Sequence, residues 1–432
     1  MAFIAGLILI LSFTILLMIG VPIAISIGLA SIVTMMFIFP FDVSIFTVAQ
    51  KMISGLDSFS LLAVPFFILS GLIMNNGGIA VRLINLSKVL TGRLPGSLDH
   101  TNVIGNILFG SISGSSVASA AAIGSIMTPM QSKEGYDRKY SAAVNIASSS
   151  AGLLIPPSGT MIIYSLVSGG TSIAALFLAG YLPGILWGLA TIIVSYIIAK
   201  KKNYPVSSGL TVKQGLKVFV EAIPSLLLIV IVIGGIIAGI FTATEGAAVA
   251  VLYSFILSML YKTLKLKDIP SIVKESVELT SIIMLLIGAS ASLSFVMSFT
   301  GIPETLTEAM LSISDNPIII LLLMNVVLLL IGTFLDITPA VLIFTPIFLP
   351  IVTEFGIDPV HFGIILILNL CIGNITPPVG GPLFVGCSIA NVEMEDVIKP
   401  LMPYYLALVV VLLIVTYFPQ LSMLLPDLIL SR

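Results

Sequence analysis

Gly152-Leu-Leu-Ile-Pro-Pro-Ser-Gly159 and Gly373-Asn-Ile-Thr-Pro-Pro-Val-Gly380 are the two segments on which the reading of this chain turns. They lie 221 positions apart, and the same ungapped shift carries Pro129 onto Pro350, Gly135 onto Gly356 and Asp137 onto Asp358. A proline inside a helix removes a backbone donor and clashes with the preceding turn, and a glycine weakens the helix entropically. What repeats is therefore a pattern of backbone interruptions, and both copies are set in strongly apolar sequence.

The surrounding composition says where such segments reside. The chain of 432 residues is 58% hydrophobic and 9% charged, with a mean hydropathy of +1.20, too few polar residues to cover a soluble globule. It reads as an all-α polytopic membrane protein. A net charge of -2 and the lack of a long basic run set nucleic acid aside as a partner. Residues 2–20 lack a basic flank and a cleavage site, so they read as a retained helix and not a signal peptide. Cys371 and Cys387 stand in apolar sequence and read as small buried hydrophobes.

Loop charges supply a topology. Runs at 2–20, 22–39 and 61–75 are long enough to span, and 76–100 has the spacing of an interfacial helix with Arg82, Lys88 and Arg93 toward headgroups. The stretch at about 101–131 is interrupted at Gly110, Gly114 and their serines and is followed by Lys133, Arg138 and Lys139. Basic loops collect in the cytoplasm, so this stretch is expected to enter the bilayer, turn, and leave on the same side. A broken crossing at about 140–168 and a further one at 173–199 complete the first copy, spanning 1–220. The second copy, 221–432, has three crossings, a hairpin at about 318–353 with Glu304, Glu308 and Asp315 before it, a broken crossing at about 362–390, and a last one at 401–418. Lys213 and Lys217 read as a second amphipathic connector. Five crossings per copy is odd, so the copies are expected to be inverted repeats.

Irregular backbone at membrane depth persists only where protein or a water-filled cavity satisfies its freed groups, and paired broken helices are how transporters build a midplane site. One cation site is expected from Ser113, Gly114, Ser115 and Ser116 with Gly152, Ile155 and Pro156. A second is expected from Gly332, Thr333 and Asp336 with Gly373, Thr376 and Val379. Ser115, Ser116, Asn145, Ser158, Asp336, Thr338 and Asn374 are the candidate substrate ligands. Asp336, matched to Ser115 by the repeat, is an ionisable group at depth and hence a functional candidate, with helix capping as the alternative role. Glu245 reads as a surface cap. His100 and His361 fall in expected loops, so no titratable chain for protons is apparent, and sodium, content with carbonyls and hydroxyls, fits better. Paired acids, a His cluster or an activated nucleophile, which an enzyme would need, are not found at depth.

Gly110-Ser-Ile-Ser-Gly-Ser-Ser-Val-Ala-Ser119, the two Pro-Pro breaks and Gly332-Thr-Phe-Leu-Asp336 resemble the large membrane subunit of tripartite ATP-independent periplasmic (TRAP) transporters, over essentially the whole chain. The resemblance implies a sodium-driven importer of organic acids such as dicarboxylates or sialic acids, with no cofactor beyond Na+, moving by an elevator mechanism in a bacterial inner membrane. It also implies two partners, a small four-helix membrane subunit and a periplasmic substrate-binding protein. A stand-alone sodium/dicarboxylate symporter would share the repeat but need no binding protein.

Overall fold

The computed structural model describes residues 2–92, 94–206, 212–314 and 316–430, so Arg93 and Asp315 lie outside the described residues. Among these, every regular element is a helix. The first half runs α1 (Ala2–Met18), α2 (Ile23–Met36), α3 (Phe41–Leu56), α4 (Ala63–Asn76), α5 (Ile79–Thr91), α6 (Ser97–Ser113), α7 (Ser116–Lys133), α8 (Arg138–Ser149), α9 (Gly159–Val167) and α10 (Ile173–Lys202). The second runs α11 (Val212–Ile237), α12 (Ala243–Leu260), α13 (Ile269–Thr300), α14 (Ile302–Ile313), α15 (Pro317–Gly332), α16 (Ile337–Glu354), α17 (Pro359–Gly373), α18 (Gly381–Ala390), α19 (Met394–Tyr417) and α20 (Gln420–Leu430). Seven helices among the described residues are long and apolar enough to cross a membrane, or up to nine if each bent pair counts as one span.

Helix bounds recur at the spacing of the motif. Helices α7 and α16 each have 18 residues, and their first residues, Ser116 and Ile337, are 221 positions apart. Helices α8 and α17 begin alike as well: Asp137 accepts the Lys139 amide at 3.0 Å and Asp358 accepts the Val360 amide at 2.7 Å. Each cap satisfies one amide that a helix start would leave orphaned.

The helices sort into two groups. In one, α1 to α5 pack with α11 to α14, and small residues bring the backbones together. Gly55 of α3 sits against Ala291 of α13, and Gly77 sits beside Ser258 of α12. In the other group, α6 to α10 pack with α15 to α20, and buried Trp187 of α10 donates to the Ala147 carbonyl of α8 at 2.9 Å. The breaks let chain cross between the halves. Helix α9 packs on α16, while α18 packs on α7 and α8, so each broken helix sends its second arm to the other half's hairpin.

Several expectations need correction. Lys213 and Lys217 belong to no separate connector, since α11 runs unbroken from Val212 to Ile237. The acidic segment with Glu304 and Glu308 is not a loop but helix α14, started by Pro303 in its first turn. The stretch expected to form one interfacial helix divides between α5 and the start of α6, so the first hairpin begins earlier than expected, at Ser97. His100 and His361 are not in loops: both are buried, in α6 and α17. As expected, Glu245 is a surface cap, closing a capping box with Thr242. The Thr242 amide donates to its Oε2 at 2.8 Å and the Thr242 hydroxyl does so at 2.9 Å.

Candidate functional site

The first hairpin turns where it does because of one glycine. Gly114 takes φ +64°, open to glycine at little cost, and its amide returns to the Gly110 carbonyl at 2.9 Å. Ser115 then adopts extended backbone, and its hydroxyl accepts the Ala118 amide at 3.2 Å, starting α7. In the second hairpin the amides of Phe334 and Leu335 return to the Ile331 carbonyl at 3.0 and 3.1 Å, and α16 starts after Asp336. Asp336 holds the N-cap position, but its side chain makes no capping bond. Where Ser115 spends its side chain on the helix start, Asp336 makes no such cap bond; its carboxylate meets the neighbouring Ile337 amide and stands exposed at the cavity.

Both tips line one cavity of about 730 Å³. The first contributes Ser113, Gly114, Ser115 and Ser116, and the second contributes Asp336, Ile337, Thr338 and Pro339. The other helix group closes the far wall, through Pro22 before α2 and Ile23 to Ile25 within it, Gly71 and Asn75 of α4, and Glu275 and Ile282 of α13. The N-termini of α7 and α16 therefore open on this cavity, and their unpaired amides favour an anion there.

Behind each tip the hairpin crosses its broken helix at a pair of glycines. A Cβ on Gly152 would lie 2.4 Å from the Gly110 Cα, and one on Gly373 would lie 2.5 Å from the Gly332 Cα. No side chain fits between these backbones. The Val379 amide donates to the Thr333 carbonyl at 3.2 Å, which ties the second break to its hairpin. The Pro156-Pro157 and Pro377-Pro378 peptide bonds are both cis. Gly332, Thr333, Gly373 and Val379 are thus together, with Thr376 in the same break. Ser113 and Gly114 meet Pro157 and Gly159 at a smaller opening.

The remaining candidates divide. Asn374 bridges the halves: its side-chain nitrogen donates to Ser116 Oγ at 3.2 Å and its oxygen accepts the Gly381 amide at 3.3 Å. Thr338 lines the cavity. Asn145 does not: it is buried in a network, donating to the Ala120 carbonyl at 2.9 Å and accepting from Asn106 at 3.0 Å. Ser158 is also buried off the cavity, and its hydroxyl, like that of Ser150 at the other end of the break, has no hydrogen-bond partner. Ile155 and Pro156 can offer only backbone oxygen, and Ile155 packs toward Gly184 of α10. The sequence reading missed Thr160, directly after the first break, and Asn75 and Glu275, which stand at no break and are revealed only by three-dimensional placement.

No group of three or more His, Cys, Asp or Glu capable of holding a metal occurs among the described residues. The oxygen atoms that the tips and breaks present are the carbonyls of the two breaks, the hydroxyls of Ser150 and Ser158, and the Asp336 carboxylate.

Broken helices that exchange arms around one cavity floored by two hairpin tips define a membrane transporter. Residues 10–421 match the model of the DctM component of the tripartite ATP-independent periplasmic transporters, and the chain belongs to that family. It is 55% identical over 96% of both chains to YgiK of Salmonella typhimurium, an uncharacterized protein. It is 40% identical to the sialic acid TRAP transporter large permease protein SiaM of Vibrio cholerae, over 89% of this chain and 90% of SiaM. The C4-dicarboxylate TRAP transporter large permease protein DctM of Pseudomonas aeruginosa is 38% identical, over 93% of this chain and 94% of that one. Among solved structures, the YdaH transporter of Alcanivorax borkumensis matches at TM-score 0.61 and 13% identity, over 88% of each chain, a likeness of fold. The protein is therefore a multi-pass component of the bacterial inner membrane, working with a small membrane subunit and a periplasmic binding protein.

Proposed function

We propose that the chain imports an organic acid by sodium-coupled secondary transport, taking substrate from the binding protein and releasing it to the cytoplasm. The observation that carries this reading is the shared cavity, in which two helix N-termini and the Asp336 carboxylate meet. The relatives SiaM and DctM are named for sialic acid and C4-dicarboxylates, both carboxylates, which supports the substrate class.

The chemistry explains why a cation must travel with the anion. A substrate carboxylate ~4 Å from the Asp336 carboxylate meets a repulsion of about 4 kcal/mol at an effective dielectric of ~20. A sodium ion held by Asp336 and the carbonyls of Gly332, Thr333 and Gly373 cancels that charge before the anion enters. A second ion sits between the first tip and the Gly152 to Ser158 break, where the Ser150 and Ser158 hydroxyls lack partners. The amides opening α7 and α16, with Ser116, Thr338 and Asn374, then hold the carboxylate.

Loop charges give the direction. The two halves are read as inverted repeats, 1–220 and 221–432, each with a hairpin that re-enters the bilayer. On that topology Pro22, Asn75 and Glu275 all stand at cytoplasmic helix ends, so the cavity is the release site. Sliding of the group with α6 to α10 and α15 to α20 against the other, an elevator movement, would carry the tips outward. The test is uptake by vesicles containing the chain with its small membrane subunit, across a panel of organic acids, with and without the periplasmic binding protein. Accumulation of at least one acid only when the binding protein is present is expected. Equal uptake without it would point instead to a self-sufficient symporter.

A further inference from the structure

At the base of the first hairpin, away from the cavity, a buried carboxyl forms no ion pair with any described residue. Asp99 of α6 and Gln131 of α7 are each fully buried, and Gln131 Nε2 donates to Asp99 Oδ1 at 2.7 Å. The other oxygen of each side chain, Asp99 Oδ2 and Gln131 Oε1, has no hydrogen-bond partner. Two orphaned acceptors on one bonded pair are costly, because each has given up water for nothing. One hydrogen cures both. A proton on Oδ2 donates to Oε1, while Nε2 continues to donate to Oδ1, and a small rotation of either side chain closes the acid–amide ring.

Among the described residues, nothing else nearby does the same work. The cation facing Asp99 from α10 is Lys202, which is engaged with Asp137 at 2.9 Å. Tyr136 and Tyr204 face it from the loops after α7 and α10, Tyr140 from α8 and Tyr404 from α19, all neutral phenols. On α5, Arg82 is stacked on Tyr261, and neither it nor Lys88 bonds to Asp99. His100, next on the same helix, is turned to the Pro95 carbonyl through Nε2 at 3.0 Å. The first-turn amides of α6 favour an anion in general, yet Oδ2 takes none of them.

The second hairpin provides the control. The positions 221 further on are Ile320 and Val352, both fully buried. An apolar pair therefore serves this packing position, and a buried polar pair is not needed to fold it. Ionisable groups kept where an apolar one suffices are functional candidates.

We propose that Asp99 and Gln131 form a proton-binding site that clamps the two arms of the first hairpin at their base, closed when Asp99 carries the proton and opened when it is lost. This does not depend on the identity of the transported acid. The chemistry is proton transfer alone: Oδ2 gains a proton from water on closing and returns it on opening.

The test uses the full chain in lipid nanodiscs, with infrared difference spectra at neutral pH and thermal unfolding followed as pH is raised. A group that is neutral when folded stabilises at low pH and loses that contribution as pH rises through its folded value. Wild type should therefore lose melting temperature toward alkaline pH. Asp99→Asn, whose amide closes the ring permanently, should flatten that dependence and remove the signal of one protonated carboxyl from the spectrum. The Asp99→Ile/Gln131→Val pair, copied from the second hairpin, should do the same, and covers the case in which the single variant fails to fold. If subtracting either variant removes an ionised carboxylate signal, or leaves the alkaline loss intact, Asp99 is not a proton site and the proposal is overturned.

Discussion

The two hairpins occupy matched positions but are put together differently. The arms of the first, α6 and α7, pack on each other and on α8 through a polar interior in which Asn106 joins Asn102, Asn145 and Ser148. The arms of the second, α15 and α16, pack on α17 and scarcely on each other. At the tips the asymmetry reverses. Ser115 is absorbed by its helix start, while Asp336 makes no cap bond and lines the cavity. One copy spends its polar groups on holding shape and the other presents its charge, so binding and support are divided between two halves of the same plan.

What they share should break them equally. Gly152→Ala and Gly373→Ala would each force a Cβ into backbone at 2.4 and 2.5 Å respectively. Overpacking of this kind costs about 1–3 kcal/mol, and more where backbone has to move. Both variants should give little folded protein by size-exclusion profile and no uptake. Tolerance of one alone would show that the crossings are not equivalent.

The tips should separate the copies. Losing a charged partner is worth about 1.5–3 kcal/mol, so Asp336→Asn should lower uptake about 10- to 100-fold and weaken its dependence on sodium. Ser115→Ala removes a helix cap worth ~1 kcal/mol, so its main effect should be on stability, with sodium dependence unchanged. Equal losses of uptake in the two variants would mean that the tips are alike after all.

Much of this was legible in the chain because helix breakers act locally. A Pro-Pro pair disrupts a helix whatever surrounds it, so the breaks, the hairpin turns at Gly114 and Gly332, and the 221-residue spacing could be read from residue types. Amphipathic helices at the rim were harder. Glu304 and Glu308 in α14 look like an acidic loop until Pro303 is seen to start a helix, and α3 carries Gln50 and Lys51 between apolar residues. Side-chain roles were hardest of all. An asparagine in a broken crossing can serve the cavity or the core, and Asn374 bridges to the hairpin tip while Asn145 is structural. His100, Asp99 and Gln131 gave no sign of burial, since polar residues beside a basic stretch read as surface.

The smallest expected effect concerns that core. The residue matched to Asn145 is Leu366, fully buried in the second copy. Asn145→Leu leaves the Asn106 amide and the Ala120 carbonyl short of partners, at a cost of about 1–3 kcal/mol. A lower melting temperature with sodium dependence intact is expected, and altered sodium dependence would place Asn145 in the site.

Coupled transport requires a cation to enter the cavity with the anion. Uptake of an accepted organic acid should therefore be measured in vesicles holding the chain and its membrane partner, with binding protein outside, under an inward sodium gradient and in potassium alone. Accumulation with sodium, its absence in potassium, and loss of the sodium effect in Asp336→Asn are the predicted results. Equal uptake in potassium alone would contradict the coupling proposed for the two tips.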